Sequence, residues 1–124
     1  MKFEVIGTPV AKGRPRLSRY GAYTPEKTVN YENLVNLSFI NSGCEPYINN
    51  EPLECIINLY KSIPKSVSKK KQQDMLLGKI RPISKPDLDN CIKSILDGLN
   101  KVAFNDDKQI VKIRMWKKCE KTQK

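Results

Sequence analysis

Lys85-Pro86-Asp87-Leu88-Asp89-Asn90-Cys91-Ile92-Lys93-Ser94-Ile95-Leu96-Asp97-Gly98-Leu99-Asn100 is the stretch on which the reading of this chain turns. Leu88, Ile92, Ile95, Leu99 and Val102 recur at helical spacing, which predicts a helix from about Asp89. Residues two apart in a regular helix point to nearly opposite sides. Asp87 and Asp89 therefore converge only if Asp87 stands before the helix in an extended segment. Pro86 favours that arrangement, because it holds Lys85 extended and suits a helix entry. Lys93 follows Asp89 by one turn and Asp97 follows Lys93 by another, on a stripe away from the apolar face. The stripe begins at the positive end of the helix dipole, where anions are favoured.

Downstream, Asn105-Asp106-Asp107-Lys108 reads as a polar turn before a closing strand. If it folds back on the helix start, Asp87, Asp89 and Asp107 form a carboxylate cluster. Two such charges ~4 Å apart repel by roughly 4 kcal/mol in a partly screened protein setting. A hard divalent cation, Mg²⁺ or Mn²⁺, would turn that repulsion into an oxygen-rich site. The same spacing also fits Asp87 and Asp89 as N-caps, Lys93 as an i,i+4 partner and Asp106-Asp107 as a plain turn. Spacing alone leaves the two readings open.

Working outward, Phe3-Glu4-Val5-Ile6 reads as a strand ended by Gly7-Thr8-Pro9, followed by a basic arm, Ala11-Lys12-Gly13-Arg14-Pro15-Arg16-Leu17. Ser18 to Thr24 has two tyrosines around Gly21, the pattern of a tight hairpin. Thr24-Pro25-Glu26 opens a helix with a cap, a first-turn proline and an acid at its positive end. Val29, Leu34, Val35, Leu37 and Phe39 are its expected apolar pattern, and Gly43 stops it. Leu53 to Tyr60 is β-branched and aromatic enough for a central strand. A short lysine-rich helix to about Leu77 follows, carrying Lys69, Lys70 and Lys71, and Gln109 to Trp116 alternates as the last strand. These elements predict one α+β domain spanning residues 1–124. Its mixed sheet is built from the strands near Phe3, Leu53 and Gln109, with helices near Pro25 and Asp89 packed on it.

Composition narrows the chemistry. Among 124 residues there are 23 basic and 13 acidic side chains, a net charge of +10, and no histidine. The surplus calls for a polyanion, of which nucleic acid fits best. Without histidine, Ser-His-Asp and Cys-His nucleophiles and His-containing zinc sites are excluded. Catalysis is left to carboxylates, lysines, backbone groups or a hard metal ion. The four cysteines, Cys44, Cys55, Cys91 and Cys119, form no C-x-x-C pair, and the N-terminus shows no secretory apolar region. They are expected to be reduced thiols packed as small apolar groups in a cytoplasmic protein. No apolar run approaches the ~20 residues needed to span a bilayer.

Lys85-Pro86-Asp87-Leu88-Asp89-Asn90 with Lys93, then Leu96-Asp97-Gly98-Leu99-Asn100, then Asp106-Asp107-Lys108-Gln109-Ile110-Val111, resembles the RusA family of Holliday junction resolvases. Lys12-Gly13-Arg14-Pro15-Arg16 and Tyr23-Thr24-Pro25-Glu26-Lys27-Thr28 resemble members of the same family, with a weaker match between about Asn30 and Ile83. The resemblance implies a small, dimeric, Mg²⁺-dependent endonuclease that cuts four-way DNA junctions by paired incisions. It makes Asp87, Asp89 and Asp107 the metal-binding catalytic carboxylates and Lys93 the catalytic lysine. Asp97 takes a supporting role, such as a bridge to Lys93, and Asp106 stands in reserve. Lys12, Arg14 and Arg16 are the first candidates for DNA contact, ahead of Lys69, Lys70 and Lys71. Tyr20 and Tyr23 are read as packing residues, with base stacking as the alternative.

A near two-fold junction needs two opposed cuts, and one carboxylate cluster per chain then implies a homodimer. The chain ends soon after Trp116, where a further strand is expected. Two rivals stand beside this reading. Pro86-Asp87 with Asp106-Asp107-Lys108 also fits a PD-(D/E)xK nuclease, which needs Lys108 on a strand beside Asp87. A basic nucleic-acid-binding module without catalysis is the other.

Overall fold

In the computed structural model, which describes residues 2–83 and 86–120, the chain runs through seven elements. They are β1 (Arg16–Ser18), β2 (Gly21–Tyr23), α1 (Glu26–Ser42), β3 (Leu53–Ser62), α2 (Lys69–Leu76), α3 (Leu88–Leu99) and β4 (Ile110–Glu120), with a short 3₁₀ turn (Asp107–Gln109) before β4. Lys85 of the opening motif lies outside the described residues. The α+β expectation holds, with the described strands in two two-stranded sheets, β1-β2 and β3-β4. By contacts the chain divides into two compact units, residues 1–54 with 86–112 and residues 55–85 with 113–124.

In the first unit, α1 packs on α3 at a point set by Gly98. A Cβ there would stand 2.7 Å from the Glu32 carbonyl oxygen and 3.0 Å from Val35 Cβ, so only glycine allows this approach. Val35, Phe39, Tyr31, Cys91, Leu96, Leu99, Ala103 and Phe104 are buried in this unit. The buried face of α1 is Thr28, Tyr31, Val35 and Phe39, while Val29 and Leu37 of the expected pattern are exposed. Helix α1 ends at Gly43 with φ 76, the left-handed cap that glycine adopts without steric cost. In the second unit, β3 buries alternate residues down to Leu59, with Ile56 and Tyr60 on its exposed face. Its only ladder among the described residues is to β4, so it is not a central strand.

Lys112 Nζ lies 3.9 Å from Glu54 Oε1 near the strand starts, and the Ile63 amide donates to the Glu120 carbonyl at 3.0 Å past the other end. That order belongs to a parallel pair, which requires a crossover connection, here containing α2 and α3. Strand β4 runs four residues beyond Trp116, to Glu120.

One expected strand does not form. Phe3 to Ile6 has no ladder partner among the described residues. Its anchors are side chains: the Phe3 ring packs edge-on against Phe39, 5.5 Å between centroids, and Cys44 Sγ donates to the Lys2 carbonyl at 3.4 Å. Gly7, at φ 143 and against Leu34, then turns the backbone away from any strand course. Of the four cysteines, Cys91 is buried, while Cys44, Cys55 and Cys119 are half-buried.

Candidate active site

The basic arm is fastened at its start to both long helices. The Lys12 amide donates to the Asn90 carbonyl at 2.9 Å. The buried Ser94 hydroxyl is shared between the carbonyls of Val10, 2.6 Å, and Cys91, 3.0 Å. The Gly13 amide donates to Thr28 Oγ1 at 3.0 Å, and a Cβ on Gly13 would press 2.9 Å from Pro25 Cγ. These ties put the Lys12 side chain between α1 and α3, where Nζ meets Glu32 Oε1 and, at 2.8 Å, Asp97 Oδ2. Partial burial pulls the Lys12 ammonium down, but hydrogen bonds and charges from Asp97 and Glu32 outweigh it and the net direction is up. Lys12 thus stands inside an acidic group, and Asp97 pairs with it rather than with Lys93. Arg14, Arg16, Lys69, Lys70 and Lys71 are exposed.

The acidic turn before β4 is held in shape by Gln109. Its Oε1 accepts from the amides of Asn105, 3.0 Å, and Asp106, 3.1 Å, while its Nε2 donates to the carbonyls of Asn49 and Glu51. Asp106 caps the 3₁₀ turn, its Oδ1 accepting from the Lys108 amide at 2.9 Å. That backbone hydrogen bond, then the one with Asp107, holds Asp106 below the usual aspartate range. Asp107 moves the other way, raised by its hydrogen bond with Asp106 and by the charges of Asp106 and Asp97. The pair is therefore divided in labour: Asp106 builds the turn, and Asp107 feels the negative charge of Asp106 and Asp97.

Asp87 occupies the N-cap position of α3 with φ −72 and ψ 139, the extended conformation that the convergent arrangement requires. Its carboxylate makes no capping hydrogen bond, so the capping explanation of this residue fails. Asp89 lies in the first turn and Lys93 one turn on, both exposed. Among the described residues no three acidic or thiol groups approach closely enough to form a ready-made cation site. Lys108 sits in the 3₁₀ turn, not on the strand that the PD-(D/E)xK scheme needs.

Glu32 and the pinning role of Gln109 are absent from the sequence reading. Lys12, the partner of Glu32, and Asn49 and Glu51, two of the partners of Gln109, lie 20 to 60 residues away in the chain.

The donor set that Asp87, Asp89 and Asp107 offer is all carboxylate oxygen, the chemistry of a hard divalent cation. The raised Asp107 carboxyl reflects first its hydrogen bond with Asp106, with the charges of Asp106 and Asp97 adding to it. The net charge of +10 favours contact with a polyanion such as nucleic acid. The family profile described as Endodeoxyribonuclease RusA matches residues 7–124. The chain is also 38% identical over 123 residues to the uncharacterized protein YqaN of Bacillus subtilis (strain 168), covering 94% of this chain and 86% of that one. No solved structure matches it significantly. The chain belongs to the RusA endodeoxyribonuclease family, the Holliday junction resolvases. No helix among the described residues is long and apolar enough to cross a membrane.

Proposed function

We propose that residues 1–124 act as one functional domain, a cytoplasmic endonuclease that cuts four-way DNA junctions by paired incisions as a homodimer. In this reading Asp87, Asp89 and Asp107 hold Mg²⁺, with Mn²⁺ as the alternative ion, and Lys93 is the catalytic lysine. The observation that carries it is the Asp87 carboxylate, which stands at the entrance to α3 without serving as a cap. When bound, the cation supplies activation of water and neutralisation of phosphate charge.

The chain's own residues do the rest. Lys93, exposed and without an ion pair among the described residues, stabilises a non-bridging phosphate oxygen as a compact point charge. Lys12 fixes Asp97, and Gln109 fixes the turn that carries Asp107. Arg14, Arg16, Lys69, Lys70 and Lys71 hold the DNA backbone, a contribution that salt weakens strongly. The homodimer follows from the substrate's near two-fold symmetry, and Ile56, Tyr60, Ile113 and Trp116 offer exposed apolar surface for it. The test is incubation with a synthetic four-way junction and a matched linear duplex, with and without Mg²⁺. Metal-dependent cutting of the junction alone supports the reading. Tight binding without cleavage in Mg²⁺ would instead support a basic binding module.

A further inference from the structure

The hairpin β1-β2 carries large side chains that the fold does not bury. Arg16 pairs with Tyr23, Leu17 with Ala22 and Ser18 with Gly21, leaving Arg19 and Tyr20 as the two-residue tip. The tip is well formed: the Tyr20 amide donates to Ser18 Oγ at 3.2 Å, Ser18 Oγ donates to the Gly21 carbonyl at 3.1 Å, and Gly21 adopts φ 111. Yet Tyr20 is 90% exposed, Leu17 86% and Tyr23 48%. Packing, the first reading of these tyrosines, does not explain Tyr20. An ordered hairpin that holds an aromatic ring and a leucine in water is shaped for a partner.

Its charge says which kind. Arg14, Arg16 and Arg19 lie in a stretch with no acidic residue between Glu4 and Glu26. Arg19 reaches over the Tyr20 ring, 6.0 Å from its centroid, so the tip presents a cation and an aromatic face together. A positively charged element with an exposed ring suits unstacked nucleic acid, in which phosphates meet the cations and a base meets the ring. The root of the hairpin is fixed as well. Gly13 is clamped by Thr28 and Pro25, and the neighbouring Lys12 is bound to Asp97, so Arg16 stands at most ~14 Å along the chain from Lys12.

We propose that the β1-β2 hairpin is a branch-point probe: Tyr20 stacks on a base unstacked at the centre of branched DNA, while Arg14, Arg16 and Arg19 hold the flanking phosphates. This rests on the junction-cutting reading and adds the element that distinguishes a branch from a plain duplex. The experiment measures binding to a four-way junction and to a matched duplex in EDTA, for wild type and for Tyr20→Ala, Tyr20→Phe and Tyr20→Leu. Tyr20 is a solvent-facing tip residue, and melting curves verify that each variant is folded. Tyr20→Ala and Tyr20→Leu are expected to lower the junction-to-duplex affinity ratio about tenfold, whereas Tyr20→Phe keeps it. Arg14→Ala, Arg16→Ala and Arg19→Ala should each flatten the salt dependence of binding by about one unit of slope.

A wild-type preference for junctions that survives Tyr20→Ala overturns the hairpin proposal and leaves the junction-cutting reading standing. Loss of preference in Tyr20→Phe equal to that in Tyr20→Ala also overturns it, since the hydroxyl rather than the ring would then be the contact. Unchanged salt slopes in the arginine variants remove the phosphate contacts from the proposal. A wild type with no preference at all overturns both the proposal and the reading beneath it.

Discussion

Lys12 Nζ stands 2.8 Å from Asp97 Oδ2, joining the N-terminal segment to the middle of α3. The same ammonium meets Glu32 of α1, so one side chain ties three parts of the first unit. The ion pairs are partly exposed, which limits what they add to stability. Lys12→Met should lower stability by only about 1 kcal/mol, read as a small fall in the midpoint of urea unfolding. Its larger effect should fall on cleavage, because Asp97 is released beside Asp107. Cleavage at the wild-type rate would show that the bridge is purely structural.

Gly98→Ala tests the helix contact. The added methyl group meets backbone of α1 at 2.7 Å, which a rotamer change cannot relieve. The helices must separate, and overpacking of this kind costs typically 1–3 kcal/mol. Thermal melting followed by circular dichroism should fall by several degrees, whereas Gly21→Ala, with nothing within 4 Å but φ 111, should show only the backbone strain.

Tyr31 predicts an alkaline limb. Burial, then the neighbouring Cys91, pushes its phenol from 10.0 up to about 12. A folded value raised above the unfolded one gives a contribution fully present below pH ~10 and lost as pH climbs through ~12. The rise corresponds to roughly 3 kcal/mol at most. Tyr31→Phe should therefore lose less stability than wild type between pH 10 and 12. Parallel losses in the two proteins would contradict the assignment.

The turn before β4 gives a fourth expectation. Gln109→Ala removes hydrogen bonds to Asn105, Asp106, Asn49 and Glu51. Since these groups are largely exposed, the stability cost should stay near 1–2 kcal/mol. Cleavage should fall much further, because Asp107 loses its fixed position. Proportional small losses in both would make the turn a stability feature only.

How much of this was legible depended on whether the determinants were local. The hairpin, the Gly43 stop, the existence of α3 and the extended Asp87 rest on neighbours within one turn, and each was readable; of the expected apolar face of α3 only Leu99 is buried, beside Cys91, Ser94, Leu96 and Gly98. Phe3 to Ile6 has strand composition, but a strand needs a partner, and the ring of Phe3 found Phe39 instead. Helix α1 departs from its expected pattern because Thr28, held by the Gly13 amide, and Tyr31 face inward while Leu37 faces out. The carboxylates were legible as residues, not as roles. Nothing in Asp106-Asp107 says which one caps the turn until Lys108 and Gln109 are placed around it. Lys12 looked like a free basic arm because its partners, Glu32 and Asp97, are distant in the chain.

Cleavage and binding of a four-way junction by Asp87→Asn, Asp89→Asn and Asp107→Asn, measured in Mg²⁺ beside wild type, separate a metal-holding role of these aspartates from a structural one. Each change removes one negative charge facing the phosphates while keeping nearly the same shape. Cleavage should be abolished in all three while junction binding is retained or tightened. Near wild-type cutting by all three variants would contradict the metal-holding role, and these aspartates would then be no more than parts of a helix entry and a turn.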